Sequence, residues 1–278
     1  MADNSPKELL KRYGLRAKES WGQNFLSDEV VLSRIVDEAM LVEGDLVVEL
    51  GPGLGHLTRA LLETGCRLTA VERDRDMVKV LTAMKLEGLT LVEGNAADID
   101  FAKAANADQV IVVGNLPYHL TSSILFEVLD QVAHVRRAVF TLQAEVVERL
   151  AAKPGGRDYG LLTVLLNLRF HVEEVMKIPA HFFHPPPKVN SAVVRLSRRE
   201  TPRAEVIDEA RFRKLVKAGF AQRRKTLTNS IASDRTLAEA YDLAGALVAA
   251  GIDGKRRAET LSVEEFAAIE RALGPVAS

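Results

Sequence analysis

Short apolar runs alternate with amphipathic segments along the first 150 residues of the chain. Apolar runs typical of strands occupy residues 46–50, 67–72, 89–93, 110–113 and 138–142. Apolar positions at helical spacing fall between them, at residues 57–64, 75–85, 121–130 and 144–151. This alternation predicts a parallel sheet whose crossover helices cover both of its faces.

Further segments extend this sheet domain at both ends. Ser27 can cap a helix that reaches about residue 40, because apolar residues recur there on one helical face. Two later β-type runs, at residues 170–177 and 192–196, can complete one edge of the sheet as an antiparallel pair. We therefore predict a Rossmann-like α/β domain at residues 1–197.

The remainder of the chain has a different pattern. Residues 197–205 are polar and contain a proline, which is typical of a linker. Beyond them the spacing of apolar residues is helical, and Thr236 with Glu239 and Ser262 with Glu265 form candidate capping boxes. We predict a small all-α domain at residues 198–278.

Composition narrows the class of protein. The 278 residues are 47% hydrophobic and 27% charged, as in ordinary globular proteins. The single cysteine, Cys66, excludes a disulfide framework and a cysteine-based zinc site, and the six histidines show no metal-ligand spacing. No apolar run approaches the roughly 18–20 residues that cross a bilayer, and residues 1–8 lack the apolar core of an export signal. We expect a cytoplasmic protein that contacts no membrane and binds no metal.

The total charge of −1 conceals a segregation of charge along the chain. Residues 28–110 contain 8 Lys and Arg against 16 Asp and Glu, whereas residues 181–232 contain 12 against 4. A local positive field attracts polyanions even when the whole molecule is neutral. The basic segment therefore indicates either a nucleic-acid partner or a solvated basic surface.

A glycine-rich turn at residues 49–55 follows the first predicted strand and opens a helix. Its alternating glycines, Gly51, Gly53 and Gly55, let the backbone turn sharply and approach a ligand closely. Glu72 ends the second strand, where a carboxylate can accept both hydrogen bonds of a ribose diol. The glycine spacing differs from that of dinucleotide sites and resembles the first motif of class I S-adenosylmethionine-dependent methyltransferases.

The tetrapeptide Asn115-Leu116-Pro117-Tyr118 follows the fourth strand and borders the same crevice. The N6 amine of adenine is a poor nucleophile because its lone pair is delocalised into the ring. The side-chain oxygen of Asn115 and the carbonyl of Leu116 can accept both N–H bonds of this amine. Pro117 would fix that carbonyl, and Tyr118 would stack on the base. The tetrapeptide resembles the catalytic motif of adenine-N6 methyltransferases, whose target must leave its stack or lie in a loop.

Taken together, these motifs resemble the bacterial ribosomal RNA small subunit methyltransferase A family over nearly the whole chain. The matching segments are residues 22–26, 49–55, 114–118, 183–191 and 222–226. The resemblance implies S-adenosylmethionine as methyl donor and a methyltransferase domain at residues 1–197. Residues 1–27 would form an arm over the cofactor site, and residues 198–278 would bind RNA and the ribosome.

The same resemblance assigns cofactor contacts to individual residues. Gly51 would contact the methionine part of the cofactor and Glu72 its ribose. Asn95 stands where the family usually has an aspartate on the cofactor adenine, so that affinity is lower or Asp98 assists. The expected cofactor-binding residues are Asn24, Leu26, Gly51, Gly53, Gly55, Glu72, Asn95 and Asn115.

Catalytic and RNA-binding residues are implied in the same way. Phe183 matches a phenylalanine that stacks on the target adenine opposite Tyr118, although a core aromatic is an equal alternative. The expected catalytic residues are Asn115, Leu116, Pro117, Tyr118 and Phe183. A basic stripe would track phosphates in the helical domain if its helix continues to residue 224. The expected RNA-binding residues are Arg213, Lys217, Arg223, Arg224 and Lys225.

The resemblance implies a specific reaction. We expect a monomeric enzyme that dimethylates N6 of two adjacent adenosines in the loop of the 3′-terminal hairpin of 16S rRNA. Its partners would be this RNA and the assembling 30S subunit. One alternative is a 23S rRNA adenine-N6 dimethyltransferase that confers antibiotic resistance. Another is a non-catalytic nucleic-acid-binding factor on the same fold.

Overall fold

The computed structural model describes residues 5–274 and divides into two compact units. The first unit contains Met1–Val147 and Glu173–Arg198, and the second contains Glu148–Val172 and Arg199–Ser278. The first four and last four residues of the chain belong to the predicted domains but lie outside the described residues.

Nine strands occur in the described residues, and seven of them form one sheet. In chain order they are β1 (Phe25–Leu26), β2 (Leu46–Leu50), β3 (Arg67–Glu72), β4 (Leu89–Glu93), β5 (Val110–Asn115), β6 (Val135–Gln143), β7 (Phe170–Ile178), β8 (Phe183–His184) and β9 (Ser191–Arg198). The sheet order is β4-β3-β2-β5-β6-β9-β7, while β1 and β8 pair separately. Strands β2 to β6 pair in parallel, and β9 is antiparallel to β6.

Of the α-helices within residues 5–274, seven begin in the first unit and six lie in the second. The former are α1 (Pro6–Arg12), α2 (Glu29–Ala39), α3 (His56–Leu62), α4 (Arg75–Met84), α5 (Phe101–Ala105), α6 (Thr121–Asp130) and α7 (Ala144–Leu150). The latter are α8 (Leu161–Arg169), α9 (Glu209–Ala221), α10 (Leu227–Ile231), α11 (Arg235–Ala240), α12 (Leu243–Ala249) and α13 (Val263–Ala272). None of these helices is long and apolar enough to cross a bilayer.

The predicted parallel α/β sheet is confirmed. Strands β2, β3 and β4 and helix α6 have the predicted bounds. The predicted cap of α2 is wrong by one residue, because Asp28 and not Ser27 accepts the Val31 N–H. Helices α1, α5 and α8 and strands β1 and β8 had no counterpart in the predicted pattern, since they are short or carry no clear apolar period.

Burial of the central strands explains how the sheet holds the site. In β2 and β5, Val47, Val48, Val112 and Val113 have no measurable exposure, and apolar burial of this kind stabilises by roughly 1.5–3 kcal/mol per side chain. Helices therefore cover both faces, as continuous apolar strands require. The polar residues that end these strands lie at one edge of this rigid layer.

The second unit has its own apolar core, which confirms two predictions and corrects two others. Phe212, Leu215 and Val216 of α9 are buried, as predicted. Helix α9 ends at Ala221, so Arg224 does not continue its basic stripe. Helix α11 is capped by Asp234 and not by Thr236, whereas Ser262 with Glu265 does form a capping box.

The boundary predicted at residues 197 and 198 also needs a correction. Residues 148–172 separate from the sheet unit, although they precede its last strands in the chain. Their helix α8 is apolar and has buried residues such as Val164 and Leu166. It packs on α9 and α13, which places this segment with the helices of the second unit.

Candidate cofactor and catalytic site

A cavity of about 270 Å³ lies in the first unit, where β2, β3 and β5 end. The carboxyl ends of parallel strands are the usual place for such a site. The predicted residues that line it are Asn24, Leu26, Gly51, Gly53, Glu72, Asn95, Asn115, Leu116, Pro117 and Tyr118. The structure thus brings together residues that lie up to 94 positions apart, from 24 to 118.

Two glycines let the backbone pack tightly around this cavity. A Cβ atom at Gly53, whose φ is +54°, would lie 3.0 Å from the Phe25 ring. At Gly114 a Cβ atom would lie 2.7 Å from the Leu50 carbonyl oxygen. Gly55 does not line the cavity, because it caps α3 and faces Leu81.

Glu72 is oriented by backbone donors on both of its oxygens. Its Oε2 accepts the Gly53 N–H at 3.0 Å, and its Oε1 accepts the Asp74 N–H at 2.8 Å. Burial raises the pKa of Glu72, and these hydrogen bonds oppose that rise. Carboxylate oxygens have further lone pairs, so a ribose diol can bind to this fixed group.

Glu49 is a second buried carboxyl group in the cavity wall, and the sequence analysis assigned it no role. Its side chain is 1% exposed, and among residues 5–274 its Oε2 has no hydrogen-bond partner. Burial raises the pKa of Glu49 to about 8, and the charge of Glu72 adds to the effect. The sequence feature that could have identified Glu49 is its position at the start of the glycine-rich turn.

The side chain of Asn115 is held by a backbone carbonyl. Its Nδ2 donates to the Asn24 oxygen at 2.9 Å, which leaves Oδ1 as the acceptor of the amide. The Leu116 N–H donates to the Thr141 oxygen at 3.2 Å, and Pro117 has a φ of −59°. Hydrogen bonds therefore hold the Asn115 side chain and the Leu116 backbone, and the proline ring fixes the backbone that follows them.

Tyr118 and Phe183, predicted as a stacking pair, have different environments. Tyr118 is half-buried in the cavity lining, and its hydroxyl lies 2.7 Å from Ser191 Oγ. Phe183 is only 4% exposed and packs with Leu26, its partner across β1 and β8. It does not line the cavity, which favours the alternative of a core aromatic.

The N-terminal strap, residues 18–26, forms one wall of the cavity through polar contacts. Lys18 Nζ lies 2.6 Å from Asp74 Oδ1 and 2.7 Å from Asp76 Oδ2. Gln23 Nε2 donates to Asp74 Oδ2 at 2.6 Å, and Gln23 Oε1 accepts the Lys18 N–H. The hydrogen bonds that Lys18 donates to the carboxylates of Asp74 and Asp76 raise the pKa of Lys18.

Trp21 joins this strap to the turn that follows Glu72. The ammonium of Lys18 lies 5.2 Å and the guanidinium of Arg73 lies 5.3 Å from the centre of its ring. Both distances suit cation–π attraction. The contribution of these residues was not predicted, because Trp21 and Arg73 are 52 residues apart in the chain and Lys18 and Asp74 are 56 apart.

Asn95 is engaged by its own loop. Its Nδ2 donates to Asp98 Oδ2 at 2.5 Å, and its Oδ1 accepts the Ala97 N–H at 3.3 Å. Asp98 itself is not among the residues that line the cavity. The structure therefore pairs Asp98 with Asn95, so that any assistance from Asp98 would act through the amide.

The predicted RNA-binding residues all lie in the second unit. Lys217 is exposed on α9, and Arg223, Arg224 and Lys225 are exposed in the turn between α9 and α10. Arg213 is partly buried on α9. The turn is anchored to the same unit, because Arg223 Nη2 donates to the Arg157 oxygen at 2.5 Å.

The lining of the cavity fits S-adenosylmethionine. Glu72 presents a fixed acceptor for a ribose diol, and the buried, unpartnered oxygen of Glu49 suits a cationic ligand. Gly53 allows the backbone to approach a ligand closely. Within residues 5–274, no three side chains of His, Cys, Asp or Glu converge on a candidate metal site.

Comparison with known proteins adds independent evidence. The family model described as ribosomal RNA adenine dimethylase matches residues 14–273. Ribosomal RNA small subunit methyltransferase A of Myxococcus xanthus is 65% identical over 272 residues, which is 98% of this chain and 96% of that protein. Its counterpart in Bacillus cytotoxicus is 41% identical over 98% of this chain and 96% of its own length.

Solved structures agree with this result. The dimethyladenosine transferase from Plasmodium falciparum is 23% identical with a TM-score of 0.72, covering 88% of this chain and 95% of its own, and it shows the fold. The 23S rRNA methyltransferase ErmE is 28% identical with a TM-score of 0.68, covering 90% of this chain and 99% of its own. Because the family model spans nearly all of the described residues, the chain belongs to the ribosomal RNA adenine dimethylase family.

Proposed function

We propose that this protein dimethylates N6 of two adjacent adenosines in the loop of the 3′-terminal hairpin of 16S rRNA during assembly of the 30S subunit. One observation carries the chemical part of the proposal. The Asn115 amide is held by the Asn24 carbonyl, with Oδ1 left as its acceptor in the cavity that also contains Glu72 and Tyr118.

Two acceptors after β5 activate the target amine. Asn115 Oδ1 and the Leu116 carbonyl accept the two N–H bonds of adenine N6 and direct its lone pair into the cavity. The hydrogen bonds of Asn115 Nδ2 and Leu116 N keep both acceptors in place. When bound, S-adenosylmethionine supplies an electrophilic methyl group on its sulfonium sulfur. The contribution of the chain is mainly to position the amine against it.

Tyr118 receives the base that leaves its stack. An aromatic ring that stacks on a nucleobase contributes roughly 1–3 kcal/mol and tolerates any base. The acceptor pair after β5 then selects an exocyclic amine, since a carbonyl group at the same place donates nothing. Together these groups account for methylation of an exocyclic amine, a class to which adenine N6 belongs.

The basic residues of the second unit bind the RNA backbone in this proposal. Exposed Lys217, Arg223, Arg224 and Lys225 contact phosphates, with Arg213 beside them on α9. Phosphate contacts fix the register of RNA without reading its sequence. Recognition of one hairpin therefore depends on its shape and on a loop that splays its bases.

The choice of 16S over 23S rRNA rests on similarity. The relative named for the small subunit is 65% identical to this chain, whereas the solved 23S rRNA methyltransferase is 28% identical. The two assignments predict different products, so one experiment separates them. Purified protein is incubated with labelled S-adenosylmethionine and either undermethylated 30S particles or 50S particles. We expect label in the two adjacent adenosines of 16S rRNA. Label in 23S rRNA would contradict the proposed substrate.

Replacement of Asn115 tests the chemistry. We expect Asn115→Ala to lower the single-turnover rate by about 100-fold or more, because one of two preorganised acceptors is lost. Asn115→Asp keeps an acceptor oxygen but loses the bond to the Asn24 carbonyl, so its rate should fall between those of the wild type and Asn115→Ala. Full activity of Asn115→Ala would contradict this role.

A further inference from the structure

The buried side chain of Ser191 forms a hydrogen bond with the phenol end of Tyr118. Its Oγ lies 2.7 Å from the Tyr118 hydroxyl, and Ser191 has no measurable exposure. Tyr118 lines the cavity, whereas Ser191 does not. The hydrogen bond therefore links Tyr118 to a residue outside the cavity lining.

Ser191 is itself fixed by the sheet. It is the first residue of β9 and lies opposite Gln143 of β6. The preceding residue, Asn190, accepts the Ala144 N–H with its carbonyl and the Ala180 N–H with its side chain. The hydroxyl that meets Tyr118 is thus attached to backbone that is bonded on two sides.

A tyrosine ring turns about two side-chain bonds unless its end is restrained. Tyr118 begins a short turn after Pro117, so the sequence before it fixes the backbone but leaves the ring free. A hydrogen bond at the far end of the ring removes that freedom. Burial raises the pKa of Tyr118, so its hydroxyl stays protonated and remains a hydrogen-bond partner.

We propose that Ser191 is a positioning residue for methyl transfer, and that its hydroxyl holds the Tyr118 ring at the angle at which a target base stacks. This role rests on the proposed function, since it concerns how the same cavity receives adenine. Ser191 touches neither the base nor the cofactor in this proposal. It acts only through Tyr118.

Four variants test this role by methylation of 30S particles. Ser191→Ala and Tyr118→Phe should each lower the single-turnover rate about 3- to 10-fold, the effect of one lost hydrogen bond. The double variant should be no slower than either single variant, because both remove the same contact. Ser191→Thr keeps the hydroxyl and should restore most of the rate, and the affinity for S-adenosylhomocysteine should stay unchanged in all four.

Thr69→Val is the matched control. Thr69 is 7% exposed on β3 of the same sheet, it does not line the cavity, and its hydroxyl donates to the Ala104 oxygen at 3.4 Å. Its loss should leave the rate as in the wild type. A wild-type rate in Ser191→Ala, or single effects that multiply in the double variant, would overturn the role of Ser191.

A second measurement needs no RNA. The chain has four tyrosines, so protein labelled with 3-fluorotyrosine gives four fluorine resonances, of which Tyr118→Phe identifies one. Ser191→Ala should shift or sharpen that resonance, and Thr69→Val should leave it unchanged. If the wild type methylates neither subunit, the proposed function fails, while this resonance still decides whether Ser191 restrains Tyr118. An unchanged resonance in Ser191→Ala would overturn the proposal.

Discussion

The cavity has two walls that are held by different forces. The sheet wall, formed where β2, β3 and β5 end, rests on strands whose apolar side chains are fully buried. The N-terminal strap is held by the hydrogen bonds of Lys18 and Gln23 to Asp74 and by the cation–π contact between Arg73 and the Trp21 ring. Trp21 remains 39% exposed, so water reaches the strap contacts.

The two walls therefore have different roles: the sheet wall positions the ligand-binding side chains, and the strap encloses the cavity. Apolar burial and close backbone packing depend little on salt, so the sheet wall keeps Glu72 and Asn115 in one arrangement. Partly exposed ion pairs contribute only about 0–1 kcal/mol and are screened by salt. Residues 18–23 of the strap can therefore open at low cost, whereas its end at Phe25 and Leu26 is buried and paired with β8. The sheet wall cannot move without unfolding its strands.

The largest effect is expected from a substitution that pushes the sheet wall apart. In Gly114→Ala the new Cβ would lie 2.7 Å from the Leu50 oxygen and 2.8 Å from Leu116 Cδ2. Overpacking of this kind should lower the free energy of unfolding by about 2–3 kcal/mol in urea denaturation. Gly94→Ala is the control, because its nearest neighbour would be 3.6 Å away. Equal stability of the two variants would contradict the tight packing of this wall.

A smaller effect concerns the buried carboxyl group of the sheet wall. The pKa of Glu49 is about 8 in the folded protein against 4.5 for the free group. Between these values the folded protein retains a proton that the unfolded chain has released, so stability falls as pH rises and levels off above about pH 8. Glu49→Gln cannot titrate and should remove roughly 1–3 kcal/mol of this decline in unfolding measured from pH 5 to 8. Parallel curves for the two proteins would show that Glu49 is already ionised.

The smallest effect is expected at the strap. Lys18→Met should weaken the binding of S-adenosylhomocysteine about 2- to 5-fold at low salt, and the difference should shrink at 1 M salt. Trp21 is the only tryptophan in the chain, so a red shift of its fluorescence reports opening of the strap directly. Lys79→Met is the control, since Lys79 contacts Asp76 at 3.6 Å without touching the strap. If the strap stays closed in Lys18→Met, apolar packing and not the ion pairs of Lys18 holds it in place.

Strand positions were predictable where the apolar pattern was continuous. Strands β2 and β3 are largely buried, and β4 alternates between partly buried and exposed residues. Each of the three lies between turn-forming residues such as Gly51, Gly65, Gly88 and Gly94, so local sequence defines both ends. Helix α8 and the pair of β1 and β8 were not predictable, because their apolar residues find partners far along the chain. Caps were off by one or two residues at Ser27 and Thr236, where an aspartate nearby competes for the same N–H groups.

The residues of the candidate site also divide into those that the sequence could identify and those that it could not. Gly53, Glu72 and Asn115 were identified because each directly follows or ends a strand, and the carboxyl ends of parallel strands meet at one edge. The alternatives for Phe183 could not be separated by sequence, since an aromatic side chain suits a core and a stacking surface equally well. Its pairing with Leu26 in the structure separates them.

The amino-acid sequence by itself determined the alternating α/β architecture and the strand-end residues of the cofactor site, because both follow from local periodicity and from short motifs. Only the tertiary structure decided which side chains hold those residues in place. Three hydrogen bonds join positions 56 to 91 residues apart: Ser191 with Tyr118, the Asn24 carbonyl with Asn115, and Asp74 with Lys18. Such contacts form through the packing of whole elements, which no local pattern records.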